Sequence, residues 1–398
     1  MEGTFVILFS IASLVAIAAR RVRVPYTIAL VVVGLIVGAF RIVEAPHLTK
    51  ELLFALFLPG LVFEAAYNIH ADELKASWRT IAAMAGPGVV ITIGLAALLI
   101  VGAFQVMGMG GILSWQYVMV FAALVVATDP IAVVSMFRQM GVAPRLTAMV
   151  EAESLFNDGT AIVVLSLVLA YVTGDSSGPG ALSLKFLGVV GGGAAIGIAL
   201  GYTLARISKH VDDAMVEITL TTIAAYGSFV AAEHLHLSGV IATVCAGLVL
   251  GTYGREIAMS EVTRKSVDVF WEYIAFAMNS VVFLLIGFEV QPLALVHSAG
   301  PIVIAFVAIV IARLLVVGGV RLMLLRTSEA ISLQWATILT WGGLRGALSM
   351  VLALALPLDF PNRALLIDMT FGVVLISLLL QGLTMPPLVR RLTQKTAA

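Results

Sequence analysis

The chain has 398 residues, of which 61% are hydrophobic and only 12% charged. A soluble domain carries roughly 25% charged residues, so this sequence cannot cover a water-facing surface, and its 23 basic and 23 acidic side chains balance to a net charge that offers nothing to nucleic acid. One cysteine, Cys245, excludes an intrachain disulfide.

With a mean hydropathy of +1.09, the sequence predicts an all-α polytopic membrane protein of thirteen spans, each long enough to cross a hydrocarbon core of roughly 30 Å. The first, 4–19 (TFVILFSIASLVAIAA), has no basic residue before it and RRVR after it, and so reads as a spanning helix rather than a cleaved signal. Spans 2, 3 and 4 are predicted over 26–43, 50–67 and 80–104, the third carrying Glu64 in LPGLVFEAAYN. Span 5, 114–138, contains VVATDPIAVV, where Pro130 removes a backbone donor and clashes with the preceding turn. Span 6, 146–172, carries ESLFNDGTA: Glu153, Ser154, Asn157 and Asp158 within six positions of an otherwise apolar helix. Spans 7, 8 and 9 are predicted over 182–206, 215–232 and 237–252, with His234 and His236 as solvated residues of the loop between the last two. Spans 10 and 11 cover 268–289 and 300–325, the latter placing Arg313 near mid-depth. Span 12, 330–356, contains LTWGGLRGALSM, where Gly342, Gly343 and Gly346 weaken the helix around Arg345, and span 13 covers 365–389.

Of the 23 basic residues, 17 lie in the loops after odd-numbered spans, at the span ends adjoining them or in the C-terminal tail, four (Arg41, Lys50, Lys185, Arg363) lie in the opposite loops or at their adjoining span ends, and Arg313 and Arg345 lie deep inside spans. The positive-inside rule then places the N-terminus outside and the C-terminus in the cytoplasm. No loop is long enough for a soluble domain, so residues 1–398 form one transmembrane unit. The interrupted spans 5 and 12 are seven apart, so spans 1–6 and 8–13 can be two six-helix repeats of opposite orientation, each with its fifth helix broken. Paired broken helices in inverted repeats point to a midplane site in a secondary transporter.

On a helix with about 100° per residue, Ser154 and Asp158 share one stripe, Glu153 and Asn157 an adjacent one, and Glu153 and Asp158 diverge by about 140°. At 1.5 Å per residue Asp158 lies roughly 18 Å deep, and Asp129 reaches a comparable depth from the other side. A charge at such depth costs several kcal/mol and marks an ion path or a relay. Only Arg313 and Arg345 are available as deep partners for Asp129, Asp158, Glu153 and Glu64, so a proton or a metal ion is needed as well. Glu153 is the expected partner of Arg313, while Arg345 and Asp129 are expected to compensate the dipole ends exposed where spans 12 and 5 break. Asp158 is then the acid facing the cavity, with Ser154, the Thr128 carbonyl freed by the break, and Glu64 completing an all-oxygen site for a hard cation. No His or Cys cluster suits a soft metal. A cation bound at Asp158 lowers its proton affinity and burial raises it, so the two ions exclude one another there. No Walker A sequence occurs, hence no ATP-driven step and no cofactor is expected. Two rival classes fit less well: an intramembrane aspartyl protease lacks its G-x-G-D signature, and a cation channel has no need of broken inverted repeats.

ATDP, ESLFNDGTAIV, FWEYIAFAMNSVVFLLIG, IARLL and WGGLRGALSM together resemble the monovalent cation:proton antiporters, in the sodium/proton exchanger branch with an Asn-Asp pair. The resemblance covers nearly the whole chain. It implies a transporter and not an enzyme, carrying sodium or another monovalent cation against protons in the inner cell membrane. It implies a homodimer whose core bundle (spans 3–6 and 10–13, with 5 and 12 crossing) moves against a dimerisation bundle (spans 1, 2, 7, 8 and 9) in an elevator-like cycle. By the same resemblance the aspartate matching Asp158 is the shared cation and proton site, assisted by residues matching Ser154, Glu64, Thr128, Asp129 and the paired Asn157, and the glutamate matching Glu153 pairs with the arginine matching Arg313. Members with the Asn-Asp pair exchange one cation for one proton. Sodium or lithium is the expected substrate, with potassium as the alternative. Without the long regulatory tail of animal and plant relatives after Ala398, either a bacterial design or a trimmed chain is expected.

Overall fold

In the computed structural model the described residues are 2–22, 25–40, 53–69, 71–174 and 178–393. They are helical with no strand among them. The chain runs through α1 (Glu2–Val22), α2 (Tyr26–Ala39), a π-helical turn Leu53–Phe57 leading into α3 (Leu58–Asn68), α4 (Trp78–Ala85) and α5 (Pro87–Val106). It continues through α6 (Trp115–Val125), α7 (Ile131–Met140), α8 (Pro144–Val172), α9 (Pro179–Ser208), α10 (Ala214–His234) and α11 (Gly239–Val249). The remainder is α12 (Glu261–Glu289), α13 (Ala299–Leu324), α14 (Leu333–Trp341), α15 (Ala347–Leu354), α16 (Arg363–Ile376) and α17 (Gly382–Thr393), with short helical turns at Ala71–Lys75, Arg255–Ile257 and Pro292–His297.

Helix occupies most of the described part of every predicted span, with non-helical breaks inside spans 4, 5 and 12. The span ends at 41–43 and 50–52, and the loop residues Arg23, Arg41, Lys50 and Lys395, lie outside the described residues. Eight helical stretches among the described residues are long and apolar enough to cross a membrane; the pieces of spans 1, 2, 3 and 5 are shorter apolar helices. Span 4 is broken where the sequence predicts continuity. Gly86 takes φ −99°, ψ −99° between α4 and α5, because Pro87 has no N–H to continue the ladder and its ring excludes the helical geometry of the residue before it. Span 9 runs on through a π-helical turn, Leu250–Gly254, to Ile257, and span 10 starts at Glu261, about two turns before its apolar run.

The chain divides into two compact units, one of residues 1–50, 77–157 and 280–398, the other of residues 51–76 and 158–279. In the first, α13 lies along α5 and α16 and holds α14 at its side. In the second, α11 packs against α3, α9 and α10. Its core gathers Phe63, Tyr67, Leu204, Leu250, Val267 and Trp271. Trp271 has its ring 4.7 Å from that of Phe63 and its indole N–H on Thr221 Oγ1 at 3.0 Å, so the one polar atom of a fully buried side chain is satisfied. Large apolar side chains such as Leu98, Leu187, Met215 and Met323 are more than half exposed, a surface unsuited to water.

Candidate functional site

Spans 5 and 12 break within the first unit. Val126–Pro130 separates α6 from α7, and Gly342–Gly346 separates α14 from α15. The two extended segments meet: the N–H of Asp129 donates to the carbonyl of Leu344 at 2.8 Å. The glycines of WGGLRG permit that approach. A Cβ on Gly346 would overlap the Asp129 side chain, and one on Gly343 would overlap the Arg313 guanidinium.

Four helix ends are thereby exposed at depth, and charged groups answer three of them. At the C-terminal end of α6, Arg345 donates to the carbonyls of Val126 (2.6 Å) and Ala127 (3.4 Å). At the C-terminal end of α14, Arg313 Nε donates to the Leu339 carbonyl at 3.1 Å. At the N-terminal end of α7, Asp129 Oδ1 accepts from the N–H of Ile131 at 3.0 Å. Cations thus sit on the negative ends and an anion on a positive end. The sequence assigns only Arg345 and Asp129 to this task; Arg313 shares it.

Arg313 also forms a two-pronged pair with Glu153, at 3.1 Å to Oε1 and 2.9 Å to Oε2. Its side chain is 10% exposed and that of Glu153 3%, so charge, geometry and burial coincide. Gly343→Ala would force the guanidinium away from the pair. That variant is expected to lose about 3 kcal/mol or more of stability, read as a fall in the thermal unfolding midpoint; an unchanged midpoint would show that the pair tolerates the extra methyl group.

The turn of α8 after Glu153 is bound to the break in span 5. Ser154 Oγ donates to the Thr128 carbonyl, and Thr128 Oγ1 donates back to Ser154 Oγ at 3.1 Å. Asn157 Nδ2 donates to the Val126 carbonyl at 3.2 Å and to Thr128 Oγ1 at 3.1 Å. Two expectations change here. The Thr128 carbonyl is already engaged by Ser154, and Asn157 reaches the Ser154–Thr128 cluster as well as lying on the stripe of Glu153. The helix explains the second: Asn157 is only about 60° from Ser154 around the axis, and its amide spans the difference.

Asp158 follows Asn157 on α8, one turn beyond Ser154, partly buried at the edge where the second unit begins. Glu64 belongs to the second unit, on α3, and accepts from Asn68 Nδ2 at 2.8 Å. His234 and His236 are exposed at the end of α10, and among the described residues no group of three or more His, Cys, Asp or Glu is placed to hold a metal.

Sequence reasoning missed Ser377 and Gln381. The Arg345 N–H donates to Ser377 Oγ at 2.9 Å, Ser377 Oγ donates to Gln381 Oε1 at 2.8 Å, and Gln381 Nε2 donates to the Trp341 carbonyl at 3.2 Å. Both belong to a π-helical turn, Ser377–Gln381, and they satisfy backbone groups that the break in span 12 orphans. A glutamine inside the apolar run LISLLLQGL was the available signal.

The sequence family described as sodium/hydrogen exchanger, transmembrane, matches residues 7–391. The low-affinity Na(+)/H(+) antiporter NhaS1 of Synechocystis sp. is 39% identical over 391 residues, covering 96% of this chain and 72% of the relative. The Na(+)/H(+) antiporter NhaP of Pseudomonas aeruginosa is 38% identical over 353 residues, covering 86% of this chain and 81% of the relative. In fold, the chain superimposes on the sodium proton antiporter MjNhaP1 of Methanocaldococcus jannaschii with a TM-score of 0.81, at 20% identity and 98% coverage of both chains. The two meeting breaks and the polar turn of α8 thus lie in a chain that belongs to the sodium/hydrogen exchanger family.

Proposed function

We propose that this chain is a secondary antiporter that moves sodium or lithium in exchange for protons, one for one, by alternating access. The observation that carries this reading is the Asn157–Asp158 pair on α8, whose first member is pinned to the break in span 5 by two hydrogen bonds, one to the Val126 carbonyl and one to the Thr128 hydroxyl. Arg313 is engaged by Glu153 and Leu339, and Arg345 by the end of α6, so the arginines serve as scaffold. Asp158 is the carboxylate that takes a cation or a proton. Ser154 and Thr128, already locked together, supply hard oxygens beside it, and Glu64 draws the cation in. A carrier with an uncompensated charge reorients slowly because that charge must cross an apolar barrier, which makes exchange obligatory.

In this reading the chain crosses the inner cell membrane thirteen times in two inverted repeats, with an outside N-terminus and a cytoplasmic C-terminus, and works as a homodimer. One helix bundle moves against another in an elevator-like cycle. Proton movement in proteoliposomes, after sodium, lithium and potassium are added in turn, tests the reading. Sodium and lithium are expected to release protons; a response to potassium alone would replace the substrate, and cation passage without proton movement would mean a channel.

Asn157 is an amide, so the pair holds one ionisable group, and the carrier crosses with the same charge loaded either way. Exchange is therefore expected to ignore an imposed membrane potential. A rate that changes systematically with the potential would show a second proton moving. Asn157→Asp replaces a donor by an acceptor against the Val126 carbonyl and is expected to cost about 1–3 kcal/mol of stability without making exchange electrogenic. Electrogenic exchange by that variant would show that this position sets the proton count.

A further inference from the structure

Glu64 is held by a chain of groups that the exchange reading leaves unused. The carboxylate of Glu64 accepts from Asn68 Nδ2 at 2.8 Å, one helical turn on along α3. Asn68 Oδ1 in turn accepts from Arg255 Nη2 at 3.1 Å. Arg255 is fixed from two other sides: it pairs with Asp268 on α12, and its guanidinium lies 4.1 Å from the centroid of the Tyr67 ring. Its side chain is 13% exposed. The local fold delivers it there. The π-helical turn Leu250–Gly254 precedes Arg255, and Gly251 lets the turn lie against the backbone of Tyr67, where a Cβ would overlap the Tyr67 carbonyl.

The chemistry gives this chain a direction. A guanidinium donates and never accepts, so it accepts only one orientation of the Asn68 amide, with Oδ1 towards Arg255. The NH2 of Asn68 must then face Glu64, and a donor at that place orients the cation-attracting carboxylate. Without Arg255 the Asn68 amide oxygen loses the donor that anchors it, and the amide is held less firmly against Glu64. The same guanidinium contacts the last two residues of α3, Tyr67 and Asn68, near the helix end where positive charge is favoured.

We propose that Asn68 and Arg255 are positioning residues for the cation: Arg255 fixes the Asn68 amide, and Asn68 holds the Glu64 carboxylate aimed for a monovalent cation on its way to Asp158. This rests on the antiport reading, and deepens it by extending the cation path through the second unit to the turn between α11 and α12.

The test is sodium-driven proton flux in proteoliposomes over a range of sodium concentrations, for wild type, Asn68→Ala, Arg255→Met, Arg255→Lys and the double variant Asn68→Ala/Arg255→Met. Asn68→Ala is expected to raise the apparent KM for sodium about tenfold, the worth of one hydrogen bond to a charged group, with the maximal rate changed less than twofold. Arg255→Met should raise KM in the same sense, and Arg255→Lys should recover part of the loss because an ammonium also only donates. Because Arg255 acts through Asn68, the double variant should be no worse than Asn68→Ala alone. A structural role alone would lower the maximal rate or the amount of folded protein and leave KM in place. If Arg255→Met does not fold, Asn68→Ala and Arg255→Lys decide the matter. An unchanged KM in folded Asn68→Ala, or strictly additive effects in the double variant, overturns the proposal while wild-type exchange stands. Absence of sodium-driven flux in the wild type overturns the antiport reading itself, and this proposal with it.

Discussion

Arg313→Ala is expected to destabilise the protein by roughly 3–5 kcal/mol, more than Ser154→Ala, because it leaves a buried carboxylate without its cation. Glu153 has a side chain only 3% exposed, and both its oxygens receive Arg313. The same substitution removes the donor that Leu339 presents its carbonyl to at the end of α14, so a helix end loses its compensating charge at the same time. Lysine would not restore the site, since one ammonium cannot bridge two carboxylate oxygens and a backbone carbonyl in that planar arrangement. Removing both partners should cost less than the two single changes added together, because the double variant no longer buries an unpaired charge. Chemical or thermal unfolding of the four proteins in this cycle measures the coupling. Strict additivity would mean that Glu153 and Arg313 do not interact, and would shift the partnership to Arg345.

Much of this fold could be read from the sequence because a membrane leaves so few choices: backbone in hydrocarbon must be helical unless it is enclosed by protein. The apolar runs found the helices, and Pro130 with Gly342, Gly343 and Gly346 found the two breaks. The break at Gly86 was missed although Pro87 marks it, because a helix can begin at a proline as readily as it can be kinked by one. The π-helical turns at Leu250–Gly254 and Ser377–Gln381 left no trace in hydrophobic spacing, since each adds one residue to a turn without changing its polarity. They matter for the site, because they bring Arg255 over Tyr67 and set Ser377 and Gln381 against the break in span 12. Charge counting identified Glu153 and Arg313 as candidate partners, but counted Arg255 as a loop charge, since its contact with Asn68 is 187 residues away in sequence. Assigning helical stripes separated Asn157 from Ser154, whereas both side chains converge on Thr128; an angle on a helical wheel does not include the reach of the side chain.

Asp158→Asn is the change with the largest expected effect on transport. An amide of nearly the same shape keeps the packing of α8 but can neither bind a proton at this position in the working pH range nor offer a full negative charge to a cation. Both halves of the cycle fail at once, so the loss is expected to be complete, whereas loss of the Ser154 hydroxyl removes one neutral ligand among several and should weaken sodium binding. The hydrogen bonds of Asn157, Ser154 and Thr128 do not use Asp158, so the site's scaffold should survive the substitution and the variant should fold. The decisive measurement is proton movement in sealed proteoliposomes after a sodium jump, with wild type and Asp158→Asn reconstituted at equal density and checked for folding. Wild type should release protons in proportion to sodium taken up, and Asp158→Asn should show none above protein-free vesicles; sodium-driven proton flux at the wild-type rate in the folded variant would remove Asp158 from the mechanism and contradict the account.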